Sequence, residues 1–154
     1  MKCLIVVYSY HHHNTQKVAG AMSGITGAVV KSPAETKAEE LNRYDLVGFG
    51  AGIDSGRHYR PLLDFAQSLP PVQGRKCFLF STSAVQGEEK VKKDHAALRE
   101  ILRSKGYLIV GEFSCKGYNT NSFLKYFGGM NKDRPNDEDI RHAREFAQRM
   151  VSAC

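Results

Sequence analysis

A short polar stretch near the amino terminus, Y-S-Y-H-H-H-N-T-Q-K from Tyr8 to Lys17, links an apolar run to a segment with helical spacing. The first backbone N–H groups of a helix have no intrahelical acceptor, and together with the helix dipole they favour a bound anion. Ser9, Asn14 and Thr15 add short donors suited to phosphate oxygens, while His11, His12 and His13 donate through imidazole and are cationic when protonated. A phosphate group is the ligand this set suits. Two plainer uses compete with it. Asn14 or Thr15 serves equally as a helix N-cap. A metal on the three histidines is the weaker rival, because adjacent side chains in a turn do not readily converge on one ion and no carboxylate or cysteine adjoins them.

Two further stretches carry similar chemistry. In G-F-G-A-G-I-D-S-G-R-H-Y, from Gly48 to Tyr59, the glycines and the Gly52, Ile53, Asp54, Ser55, Gly56 run allow backbone to approach a flat ligand, or serve tight turns only. In S-T-S-A-V-Q-G, from Ser81 to Gly87, the peptide groups and side chains of Ser81, Thr82, Ser83 and Ala84 suit the polar edge of a heterocycle, or a plain turn before a helix near Glu88. No G-x-G-x-x-G or G-x-x-x-x-G-K-[ST] pattern occurs, which argues against a dinucleotide site or a triphosphatase and leaves a mononucleotide.

The elements that must position these stretches alternate regularly. Short apolar runs predict strands over Cys3 to Tyr8, Ala28 to Lys31, Asp45 to Gly50, Lys76 to Ser81 and Tyr107 to Phe113. Helical spacing lies between them: Thr15, Val18, Ala19 and Met22; then Leu62, Phe65, Ala66 and Leu69; then Val91, Leu98, Ile101 and Leu102. Pro33 to Leu41 is only weakly helical. Ile140, Ala143, Phe146, Ala147 and Met150 mark a last helix, with Pro135 and Asn136 at its start. Alternation of this kind predicts an α/β doubly wound parallel sheet with helices on both faces and right-handed crossovers. Ligands of such sheets bind beyond the carboxyl ends of the strands, where all three polar stretches fall. One long irregular segment, Cys115 to Arg134, is long enough to have a function.

Composition sets the outer bounds. At 154 residues and 42% hydrophobic, the chain is expected to form one domain over residues 1–154 with one core. It has no apolar run of membrane-spanning length and no signal-peptide layout, so a cytoplasmic location is expected. Cys3, Cys77, Cys115 and Cys154 are widely spaced and read as reduced thiols, with no Cys–His pair to make Cys115 a nucleophile. The net charge of +6 suits an acidic partner, nucleic acid or an anionic ligand, but the basic residues are dispersed, as on a solvated surface. Nucleic acid is therefore not expected, and the sequence leaves the oligomeric state open.

Taken in order, S-x-x-x-x-N-T after the first strand, G-F-G-A-G-I after the third and F-S-T-S after the fourth resemble the flavodoxin family along nearly the whole chain. The Y-S-x-H-H-x-N-T loop, the F-S-C of Phe113 to Cys115 and G-G-x-N-K-x-R-P-N over Gly128 to Asn136 resemble one branch of flavodoxin-like proteins. Three histidines stand where flavodoxins usually carry Thr-Gly, and lengthen the loop by one residue. The resemblance implies a five-stranded sheet in the order 2-1-3-4-5 with FMN at the junction of strands one and three. It implies phosphate in Ser9 to Thr15, and the flavin ring between Gly52 to Gly56 and Ser81 to Ala84. The chain has no tryptophan, so Tyr59, His58, Tyr118 or Tyr10 would stack on the ring. Arg57, His58, Arg60 and Lys116 are expected near it. Three functions follow from this reading: an electron carrier serving a redox protein or a small acceptor, an FMN-dependent NAD(P)H:quinone-type reductase, or a flavin-free interaction module on the same fold.

Overall fold

The computed structural model describes residues 1–10, 13–84, 86–117 and 134–154. Its first strand, β1 (Cys3–Tyr8), is followed by α1 (Asn14–Thr26), β2 (Val29–Lys31) and two short 3-10 turns, Pro33–Glu35 and Ala38–Arg43. Next come β3 (Leu46–Asp54), β4 (Arg57–His58), α2 (Arg60–Gln67), β5 (Arg75–Ser83), α3 (Glu88–Asp94), α4 (Ala96–Ser104), β6 (Tyr107–Lys116) and α5 (Asp137–Ser152). The parallel strands run β2-β1-β3-β5-β6, the expected doubly wound order, and β4 is added antiparallel to β3.

Both faces of the sheet are covered, as the continuous apolar strands require. Ile5 and Val7 of β1 and Phe78 and Phe80 of β5 pack with Val18 and Met22 of α1 and Phe146 and Met150 of α5. Leu4 and Val6, with Phe49 and Leu79, point the other way to Leu62 and Phe65 of α2 and Leu98 and Leu102 of α4. This alternation follows from the two-residue period of a strand.

Three details correct the sequence reading. Gly48 to Gly52 form strand rather than loop, since β5 pairs with β3 as far as Gly52. A Cβ at Gly48 would collide with the Phe78 ring, one at Gly50 with the Phe80 ring, and one at Gly52 would lie 2.8 Å from Tyr59 Cε2. These are the cross-strand partners Gly48 with Phe78 and Gly50 with Phe80, so each missing side chain makes room for a ring of the chain itself. The loop that remains is the two-residue turn at Ser55 and Gly56, both with positive φ (53° and 79°), the backbone a tight hairpin demands.

The second correction concerns Ser81 to Ser83. They belong to β5, because β6 pairs alongside as far as Lys116, and β6 likewise takes in Cys115 and Lys116 of the expected irregular segment. The third is that the helix expected around Val91 to Leu102 is two helices that meet at His95. Residues 118–133, with Tyr118, lie outside the described residues, as do His11 and His12.

Candidate functional site

The sheet order reverses between β1 and β3, so the carboxyl ends of these strands flank the crevice where ligands of such folds bind. Helix α1 points its amino terminus there. Its N-cap residue is His13, not Asn14 or Thr15; His13 is exposed, has a left-handed backbone (φ 53°) and makes no side-chain cap bond. The first turn carries no acidic residue. Ser9 folds back over this end, with Oγ accepting from the Gln16 N–H at 3.4 Å. Thr15 is buried, its Oγ1 sharing a 2.8 Å hydrogen bond with Oγ1 of Thr82. That bond ties the first polar stretch to the third.

The remaining predicted residues divide between surface and interior. Asp54, Ser55 and Gly56 are exposed at the tip of the hairpin, Ile53 and Ala84 are half-buried, and Gly52, Ser81, Thr82 and Ser83 are buried. Among the stacking candidates, His58 is fully enclosed: Nε2 donates to the Phe80 carbonyl at 3.0 Å and the ring packs on His95. Burial, helped by the nearby charge of His95, pushes the His58 imidazole down to about 3, so it is neutral and cannot stack on a surface ligand. Tyr10, 60% exposed, packs edge-on against Tyr59, which in turn meets Tyr8. Arg57 and Arg60 line a cavity of about 370 Å³ with Leu63, Asp64 and Ile101, on the α2 and α4 side of the hairpin. Cys115 is buried and its thiol is pushed up to about 12 by burial and the Asp139 carboxylate, which suits a packing residue and not a nucleophile.

A polar network behind the third stretch escaped the sequence reading. Ser81 Oγ lies 2.7 Å from His95 Nε2, and His95 Nδ1 lies 2.8 Å from Glu112 Oε1. Arg99 grips the same carboxylate in a fork, Nε to Oε2 and Nη2 to Oε1, both at 2.7 Å. On the other side, Ser81 Oγ donates to Ser114 Oγ at 3.0 Å, and Gln86 Nε2 donates to the Oγ of Ser83 (2.7 Å) and of Ser114 (3.1 Å). Burial opposes ionisation of Glu112, but the hydrogen bonds from His95 and Arg99 outweigh it and hold the carboxyl down to about 2. The available signal was Glu112 itself, an acid inside the apolar run Y-L-I-V-G-E-F. In a half-buried apolar strand such as β6 a charge calls for a partner.

A parallel sheet of order β2-β1-β3-β5-β6 with helices on both faces defines the class of doubly wound α/β proteins. The flavodoxin-domain family model matches residues 5–150, so the chain belongs to the flavodoxin family. An uncharacterised protein of Methanocaldococcus jannaschii is 38% identical over 151 residues, spanning 98% of this chain and 99% of that one. Among solved structures, oxidised flavodoxin 2 of Bacillus cereus superposes with a TM-score of 0.76 at 18% identity, covering 100% of both chains. The flavodoxin of Streptococcus pneumoniae gives 0.74 at 14% identity, again over both whole chains. Rubredoxin oxygen:oxidoreductase of Desulfovibrio gigas gives 0.71 at 17% identity over 99% of this chain and 35% of that longer one. At these identities the superpositions show the fold.

Proposed function

We propose that this protein binds FMN non-covalently and carries electrons between redox partners. The observation that carries the reading is the amino terminus of α1: it lies at the β1/β3 switch point with no cap bond from its N-cap residue His13 and no acid in its first turn, and only the Gln16 N–H meets a side chain, the Ser9 Oγ. Such an end, with Ser9, His13 and Thr15 beside it, fits a phosphate monoester. The Ser55–Gly56 turn and Ser83, at the carboxyl ends of β3 and β5, would then flank the flavin ring, with Tyr10 and Tyr59, which pack edge-on, as its aromatic neighbours. Among the described residues no helix is long and apolar enough to cross a membrane, which fits a carrier that meets its partners in solution.

FMN, when bound, supplies the electron chemistry; the chain supplies binding, orientation and charge. The +6 net charge and the exposed Arg57 and Arg60 favour an acidic redox protein as partner. Flavin-band absorbance of the purified protein, with FMN released on denaturation, tests the reading directly. A protein that neither carries nor rebinds FMN would be an interaction module instead, and steady NAD(P)H oxidation with a quinone would make it a reductase.

A further inference from the structure

The cavity on the α2 and α4 side of the hairpin is graded from inside to outside. Among the described residues of its lining, His58 is buried, Leu63 and Ile101 are half-buried, and Asp54, Arg57, Arg60 and Asp64 are exposed at the lip. Its volume of about 370 Å³ falls in the range of small-molecule sites, and an apolar belt with a few polar groups at fixed places is how such sites are built.

The inner wall has a hydrogen bond still to make. The Phe80 carbonyl only accepts, so Nε2 of His58 holds the hydrogen of the ring. Burial keeps the ring neutral, and Nδ1 is therefore a lone-pair acceptor. His95 covers one face of the ring. Nδ1 itself is buried and, among the described residues, has no hydrogen-bond partner, against the rule that buried polar atoms are paired. Whatever satisfies it has to be a donor, a hydroxyl or an N–H.

The lip calls for the opposite chemistry. Asp54 takes the Ser55 hydroxyl at 3.5 Å, and Asp64 stands 3.9 Å from Arg60. The exposed Arg57 guanidinium has no ion pair among the described residues, and its fork of donors matches a carboxylate.

We propose that this cavity binds a small organic acid with an apolar body, its carboxylate at Arg57, its body between Leu63 and Ile101, and a hydroxyl or N–H at its far end donating to His58 Nδ1. The site is separate from the α1 terminus, since α1 packs on the other face of the sheet, and it holds whether or not the protein binds FMN.

Three probes take the site apart. Para-hydroxybenzoate carries donor, ring and charge; para-methoxybenzoate lacks the donor; methyl para-hydroxybenzoate lacks the charge. In NMR titrations the hydroxy acid is expected to move the ¹⁵N resonance of His58 Nδ1 and the methyl signals of Leu63 and Ile101. The methoxy acid should bind about tenfold more weakly, because the buried acceptor stays without a donor. The ester should bind several-fold more weakly and lose the salt dependence that the acid shows. Arg57→Gln, a change at an exposed position, should weaken the acid and leave the ester unchanged, and Leu63→Trp should fill the cavity and abolish binding. Equal affinity for the hydroxy and methoxy acids overturns the proposal with no variant needed. So does Arg57→Gln that binds the acid as wild type does, a response confined to other residues, or no response to the hydroxy acid at millimolar concentration.

Discussion

Helices α1 and α5 begin in opposite ways. At α5, Asn136 and Asp139 form a complete capping box: Asn136 Oδ1 accepts from the Asp139 N–H and Asp139 Oδ2 from the Asn136 N–H, both at 2.9 Å. Arg134 forks onto the same carboxylate, and Asp137 and Glu138 add negative charge to the first turn. At α1, a left-handed His13 stands at the N-cap without a cap bond and no acid follows it. The first end is finished by its own side chains, whereas at the second only the Gln16 N–H meets a side chain, the Ser9 Oγ, and no charge of the chain offsets the positive pole in the first turn. A helix terminus can be spent on stability or on binding, and under the function proposed above this fold does one of each.

The largest effect expected from that contrast is at α1. FMN should bind roughly 100-fold or more tightly than riboflavin, because two or more hydrogen bonds to a charged phosphate are each worth about 1.5–3 kcal/mol. Flavin fluorescence quenching measures both affinities, and equal values would mean that the α1 end is not a phosphate site. At α5, Asp139→Ala removes the cap and strands Arg134, and should lower unfolding free energy by about 2–4 kcal/mol in denaturant titrations while leaving FMN affinity unchanged.

Acid sharpens the contrast. Burial opposes ionisation of Asp139, but Arg134 and the Asn136 N–H overcome it and leave its carboxyl below the ordinary range. A carboxyl depressed in this way stabilises the fold above its unfolded-chain value, about 3.9, and that stability disappears as pH falls through the lower folded value. The stability gap between wild type and Asp139→Asn should therefore shrink below about pH 4. His58 acts over a different window. Neutral in the fold and titrating near 6.5 when unfolded, it should make the protein lose up to about 1.4 kcal/mol per pH unit from there down to about 3, and His58→Gln should remove that slope.

The smallest effect is the most pointed. His13→Asp gives α1 the kind of end that α5 has, and should raise stability by about 1 kcal/mol while weakening FMN binding. A gain in both would break the comparison.

The doubly wound order, the start of α5 at Asn136 and the placing of the three polar stretches at carboxyl ends were all legible in the sequence, because they depend on local period and on chain order. What was not legible depended on cross-strand partners. G-F-G-A-G reads as a ligand loop until Phe78 and Phe80 are seen to fill its empty positions. The break between α3 and α4 falls at a histidine whose partners, Ser81 and Glu112, lie 14 and 17 residues away. His58, a surface stacker by its place in a Gly-rich stretch, is drawn inside by the Phe80 carbonyl.

The glycines of β3 have one more consequence, which concerns how the family can vary. Position 50 and position 80 share a single volume, taken here entirely by the ring, and so do positions 48 and 78. Neither member of such a pair can change size independently. Gly50→Ala alone should destabilise by overpacking and Phe80→Leu alone by leaving a void, whereas the double variant should recover part of both losses. Across related chains, bulk at position 50 and bulk at position 80 should accordingly trade against each other, a correlated pair that marks strand register without any polar contact between the two residues.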